Sequence, residues 1–559
     1  MEAVARRQHR KPAAPSRHTG QGRRGAVLKI LPYAVFGAAT LAVLLPLLRP
    51  GYILTLDMVF TPHLRMPEDV NYIYPFYALL HYANLLFPSA FIQKLLLCSI
   101  FFLAGLGAYR LTAKKAPYGA YFAGLLYLIN PFTYERLMAG QYLVLFGYAL
   151  LPWFLRALLV FLEGPTVKSA LRVAGWAVGI SFVSVHSMGF TLLFGVLFGT
   201  AAMWRRRSEK TYVKRVALFT MLAAGIVIVA NSFWLFPAVT GKGETAQAIQ
   251  HFNATRRQAF ATVDGGVSRP LNVMRLEGFW LEARDMFLLP ADLVPGWGWF
   301  IVLLWMLVGA GMVHVWHSDD RWLLVCFGLS GLIATILASG ILQDWLAAQV
   351  PFFAGYREPQ KFVAVLALCY AFFGAHGVEY LARLIWQKAR LAVALAAMAV
   401  PLVITFVLLW GANGQLQPVQ YPADWFAMNQ RLNQDTGGGN VLFLPWYLYM
   451  SFGFSQRVIA NPADKFFDKP VISSDDPELP GVRPEIPDTT KALLSSRILP
   501  QAARGKQLGA RLAPLHIKYV LLAKEQDYQR YNYLYGQNDV RQVAQNAHLV
   551  LFLNTEYRP

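Results

Sequence analysis

Apolar runs of about 20 residues recur over the first 410 positions, beginning with Val27–Leu48, and this repetition restricts the architecture more than any other feature of the chain. A hydrocarbon core about 30 Å thick is crossed by about 20 apolar residues. In lipid only helices and closed barrels satisfy their own backbone hydrogen bonds. Roughly eleven such spans fit, so the expected fold is a polytopic α-helical membrane protein. Of the 559 residues 56% are hydrophobic and only 15% charged, which agrees. The net charge of +20 sits in short basic segments flanking the apolar runs. That is positive-inside patterning and argues against nucleic acid as a partner.

Residues 1–26 carry Arg6, Arg7, Arg10, Lys11, Arg17, Arg23 and Arg24 among Pro, Gly and Ser, which predicts a disordered cytoplasmic tail able to touch anionic membrane lipids. Val27–Leu48 is too long for a signal-peptide core and reads as a retained anchor. Cys98, Cys326 and Cys369 fall inside apolar spans as small hydrophobes, so neither a disulfide framework nor a thiolate metal site is expected.

With the tail inside, the transmembrane region occupies 27–410 and its outer loops are 49–89 and 240–297. The helix Ala90–Leu111 returns to Lys114 and Lys115, and Tyr118 to about Asn130 goes out again. Gln141–Leu162 comes back with Pro152 at its middle, where a proline kinks the helix and frees a carbonyl. Ala170–Trp204, broken at Ser184–Gly189, is expected as two short helices meeting near the outer face, and Arg205, Arg206 and Arg207 mark the inside. From Gly411 the spans stop, and residues 411–559 read as an extracytoplasmic mixed α/β domain. Its strands are expected at Val441–Leu444, Tyr519–Leu522 and Leu549–Leu553, with Thr489–Ser495 helical. It shows no phosphate loop, zinc-ligand spacing or nucleophile elbow. A recognition or substrate-shaping module is expected there.

This topology brings charges from five loops to one outer boundary: Asp57; Glu68 and Asp69; Glu135 and Arg136; His186; and Arg357, Glu358 and Lys361. Asp57 is the candidate base. Its apolar neighbours Leu54, Leu56, Met58, Val59 and Phe60 place it at the lipid boundary, where desolvation raises basicity; the alternative is a carboxylate capping a short helix. Glu68 and Asp69 precede Tyr72, Tyr74, Phe76 and Tyr77 in a stretch that suits an interfacial helix. They are secondary candidates for metal or acceptor contacts, or plain helix N-terminal charge. Arg357 and Lys361 at a helix N-terminus form an anion site suited to a lipid-linked phosphate, or snorkel while Arg357 pairs with Glu358 or Glu135. His186, between two helices, is a proton-handling candidate or a histidine satisfied by a backbone partner.

The strings Tyr74-Pro-Phe-Tyr77, Asn130-Pro-Phe-Thr-Tyr-Glu-Arg-Leu-Met-Ala-Gly-Gln141, Asn272-Val-Met-Arg-Leu-Glu-Gly-Phe-Trp280, Tyr356-Arg-Glu-Pro-Gln-Lys-Phe362 and Ile517-Lys-Tyr-Val-Leu-Leu522 follow Asp57 in order. Together the chain resembles membrane glycosyltransferases of the GT-C fold, especially the arabinofuranosyltransferase-like and YfhO-like proteins of bacterial envelopes. The resemblance implies inverting transfer of a sugar from a polyprenyl-phosphate donor to a glycan or glycolipid acceptor, with Asp57 as base and Arg357, Lys361 and Arg136 on the phosphate. Asp57 has no adjacent second carboxylate, which leaves a divalent metal requirement open; no other cofactor is implied. Two other classes remain: a lipid or glycolipid transporter or flippase, though neither an inverted repeat nor paired midplane charges are evident, and a noncatalytic envelope scaffold.

Overall fold

The computed structural model describes residues 18–242, 253–350, 352–482 and 488–559. Most of the basic tail and part of the outer loop 240–297 lie outside the described residues.

Nine helices among the described residues are long and apolar enough to cross a membrane. Two shorter ones, Ala120–Leu128 and Val167–Ser181, match the third and fifth segments of the sequence reading. The chain is a multi-pass membrane protein with a strand-containing C-terminal domain.

The helix Val363–Leu384, extended by the 3-10 turn Pro359–Phe362, is the axis of the bundle. Its apolar residues run all round it and its most apolar window is wholly buried, as expected for a helix surrounded by others. Contact with Trp297–Trp316 is close because both helices carry glycine at the crossing. A Cβ on Gly377 would stand 1.9 Å from the Leu307 carbonyl oxygen, and one on Gly311 would stand 1.7 Å from that of Phe373. In lipid, where burial of apolar surface gives helices no reason to associate, such small-residue contacts supply packing.

Pro152 lies within the continuous helix Tyr142–Glu163. It cannot donate to the carbonyl of Tyr148, four residues earlier. The Tyr127 hydroxyl donates to that oxygen instead, at 2.9 Å, while the Tyr148 hydroxyl donates to the Tyr127 carbonyl at 2.6 Å. The two rings stack with centroids 3.9 Å apart. The carbonyl freed by the proline thus ties two helices together.

The C-terminal domain holds a five-stranded sheet ordered β4-β1-β5-β7-β6: β1 is Asn440–Leu444, β4 Val471–Ile472, β5 Ile517–Ala523, β6 Val540–Gln545 and β7 Leu549–Asn554. β1 runs parallel to β4 and β5, and β7 antiparallel to β5 and β6. A separate hairpin pairs β2, Tyr449–Phe452, with β3, Arg457–Ala460. All three strands expected from sequence are present, and Thr489–Leu493 is helical.

The loop after the first span lies between the two parts. Leu54 and Val59 pack into the C-terminal core with Trp425 and Phe443, whereas Ile53, Met58 and Phe60 face the bundle core. Tyr52 pairs with Val419 as an isolated bridge, and the Tyr421 hydroxyl donates to the Phe60 carbonyl at 2.9 Å. This corrects one expectation: the apolar residues around Asp57 are covered by protein on two sides instead of sitting at a lipid boundary. Side chains alternate between the two faces before and after a bend at Leu56 and Asp57, so one apolar strip serves two cores.

Candidate active site

Asp57 is held from both sides of that interlayer. Its backbone N–H donates to the Ala139 carbonyl at 3.0 Å. The Tyr449 hydroxyl, on β2, donates to its Oδ1 at 2.9 Å. Close approach of the bundle depends on Gly140, which has φ +76° and where a Cβ would stand 2.3 Å from Thr55 Oγ1 and 2.4 Å from Met58 N. The Asp57 side chain is solvent-exposed although protein crowds its remaining sides. Burial pushes its pKa up; the Tyr449 bond opposes this, Glu358 adds to it, and Arg357 and Lys361 oppose it.

Glu358 organises the cations. Arg136 Nη1 donates to Glu358 Oε2 at 3.1 Å and to Gln141 Oε1 at 2.7 Å, and Gln141 Nε2 donates to Glu358 at 3.2 Å. Lys361 Nζ stands 3.5 Å from the same carboxylate. Burial alone would raise the Glu358 pKa, but Lys361, Arg136, Arg357 and the Gln141 bond together hold it down to about 2. Arg136 is fully buried, its guanidinium 3.9 Å from the Phe279 ring centroid. It is therefore placed to hold Glu358, and the expectation that it touches a donor phosphate directly does not match its burial. Arg357 is half-buried and lies 4.7 Å from the Phe260 ring centroid. Its charge acts on Asp57, Tyr72 and Tyr449, which places it near all three.

His186 caps this cluster. Its Nε2 is 3.1 Å from the Gly355 carbonyl oxygen and 3.3 Å from Lys361 Nζ; one nitrogen can serve only one of these, so the tautomer decides which. The Tyr356 hydroxyl donates to the His186 carbonyl at 2.8 Å.

Glu135 makes its carboxyl contact elsewhere, although the charge of Arg136 acts on it. Its carboxyl is within hydrogen-bonding reach of Glu282, and burial together with that neighbour and Glu277 drives its pKa well up. Glu282 in turn accepts from the backbone N–H of Phe279 at 2.6 Å and from Asn272 Nδ2 at 3.2 Å. Two buried carboxyls in contact share a proton more readily than both ionise, so this pair ties the 277–284 segment to the helix Pro131–Met138. Glu68 and Asp69 are exposed ahead of the helix Tyr74–Asn84, and no contact with the Asp57 cluster is found for them among the described residues. No set of three or more His, Cys, Asp or Glu placed to hold a metal occurs among the described residues.

The structure thus brings together Asp57, Arg136, His186, Arg357, Glu358 and Lys361, leaves Glu68 and Asp69 apart, and couples Glu135 to the group through the charge of Arg136. It adds Tyr449 and Gln141. Gln141 closes one of the strings that carry the resemblance, a signal that was present; nothing local marks Tyr449.

No family model matches the chain, and no curated protein sequence matches it. Among solved structures it is similar to the cryo-EM structure of arabinofuranosyltransferase AftD from Mycobacteria, with TM-score 0.63 and 14% identity over 95% of this chain and 40% of that one. A structure of a mutant of that protein matches with TM-score 0.61 and 15% identity, over 95% and 41%. The chain spans about 40% of the length of the solved structures it matches. At this identity the likeness shows the fold, which is GT-C-like.

Proposed function

We propose that the chain is an inverting membrane glycosyltransferase, moving a sugar from a polyprenyl-phosphate donor to an extracytoplasmic glycan or lipid-linked acceptor. The observation that carries the reading is the open Asp57 carboxylate standing in the field of Arg357 and Lys361. Asp57 takes the proton of the acceptor hydroxyl; that oxygen bonds to the anomeric carbon as the carbon–oxygen bond to phosphate breaks from the opposite face. Negative charge grows on the leaving polyprenyl phosphate, where preorganised cations lower the barrier most. Arg357 meets it, with Lys361 behind. Burial helps the base, because a raised pKa makes a carboxylate a better proton acceptor. In the same reading the N-terminus is cytoplasmic and the C-terminal domain extracytoplasmic. The neighbour's activity makes an arabinofuranosyl donor the first to test.

The test is turnover in proteoliposomes supplied with a panel of polyprenyl-phosphate sugars that includes arabinofuranose, with Asp57→Asn beside wild type. A general base contributes about 10²- to 10⁴-fold. Loss of that size with unchanged insertion and melting temperature is expected. Wild-type turnover by Asp57→Asn would remove the reading, and movement of labelled lipid across the bilayer without chemical change would replace it with transport.

A further inference from the structure

The C-terminal domain reaches Asp57 through a hairpin held by several backbone hydrogen bonds near the contact. Ala460 N donates to the Leu56 carbonyl at 2.8 Å, which lays the hairpin along the Asp57 loop. Tyr449 is the residue paired opposite Ala460. Behind it, Glu478 accepts from Leu448 N at 2.6 Å and from Tyr449 N at 3.0 Å, one carboxylate oxygen for each. Asn461 N donates to the Leu448 carbonyl at 2.7 Å. From this frame the Tyr449 hydroxyl reaches Oδ1, and Oδ2 has no hydrogen-bond partner among the described residues.

We propose that Tyr449 is a positioning residue for Asp57, and that Glu478 positions Tyr449 in turn, so that the soluble domain supplies part of the reaction centre. The proposal rests on Asp57 being the base. A hydroxyl donating to one carboxylate oxygen fixes the plane of the carboxyl group, leaves the other oxygen to receive the acceptor's proton, and favours the ionised form. Glu358, Arg357 and Lys361 are the other charges that Asp57 feels. They come from the bundle, so the effect of the tyrosine is separable from theirs.

Tyr449→Phe keeps the ring and removes the hydroxyl. In detergent-solubilised full-length protein, carbodiimide labelling of Asp57 across a pH series, read by peptide mass spectrometry, reports the protonation of that carboxyl without any turnover. The expected result is a labelling midpoint about one pH unit higher in Tyr449→Phe, the size expected from losing one hydrogen bond to a charged group. Glu478→Gln is expected to shift it the same way by less, which keeps the test open should the first variant not fold. With polyprenyl-phosphate arabinofuranose as donor, kcat of Tyr449→Phe is expected to fall about tenfold with KM unchanged. A midpoint equal to wild type in both variants overturns the proposal. A shifted midpoint in a protein that transfers no sugar leaves the positioning pair standing and overturns the reaction assigned to it.

Discussion

Glu358 pairs with both Arg136 and Lys361 and is itself almost wholly buried, so removing its charge strands cations in a place they cannot leave. Glu358→Gln is expected to destabilise the protein by about 3–5 kcal/mol, the usual result of breaking one partner out of a buried pair. Unfolding followed by tryptophan fluorescence in micelles measures it. The sign with pH follows from the depressed pKa of about 2: Glu358 contributes stability that is complete above the ordinary glutamate range, about 4.3, and lost as pH falls toward 2. The gap between wild type and variant should therefore be constant at neutral pH and close on acidification. The charged group could be read from the residues, but its wiring could not. Asp57, Arg357, Glu358, Lys361 and His186 were legible because topology puts them at one end of the bundle. That Arg136 bonds Glu358, and that Glu135 meets Glu282, depends on side-chain directions that no spacing in the sequence records.

At the scale of elements, the loop that carries Asp57 and the turn between Pro131–Met138 and Tyr142–Glu163 fit because residue 140 has no side chain. Gly140→Ala combines a left-handed backbone with a Cβ 2.3 Å from Thr55 Oγ1. Strain at such positions costs about 1–3 kcal/mol, and the nearest relief is to push the 55–58 segment outward. Turnover is expected to fall by more than stability does, with hydrogen exchange of the Asp57 amide, now donating to Ala139, speeding up. The spans were legible because apolar length alone identifies them. Pro152 was legible as a source of an unpaired carbonyl, though not Tyr127 as its donor. Three strands of the C-terminal domain, β1, β5 and β7, showed as short runs rich in branched and aromatic residues, whereas β2, β3, β4 and β6 did not. Nor did the strand order, since β4-β1-β5-β7-β6 is set by which connections cross the sheet.

The molecule as a whole is joined at the 52–61 segment, where Leu54 and Val59 belong to the same core as Trp425. Trp425→Ala, at a position with no exposed surface, is expected to cost about 3–5 kcal/mol. The effect should not stay in the C-terminal domain: faster hydrogen exchange through residues 52–61 is expected, and unchanged exchange there would show the two parts to be independent. The separation along the chain between Asp57 and Tyr449, 392 positions, also orders events during synthesis. Domains fold as they emerge, N-terminal first, so a ribosome-bound chain displays Asp57 long before the hydroxyl that bonds it exists. If the proposed reaction holds, only a chain folded as far as its C-terminal domain would turn over a donor.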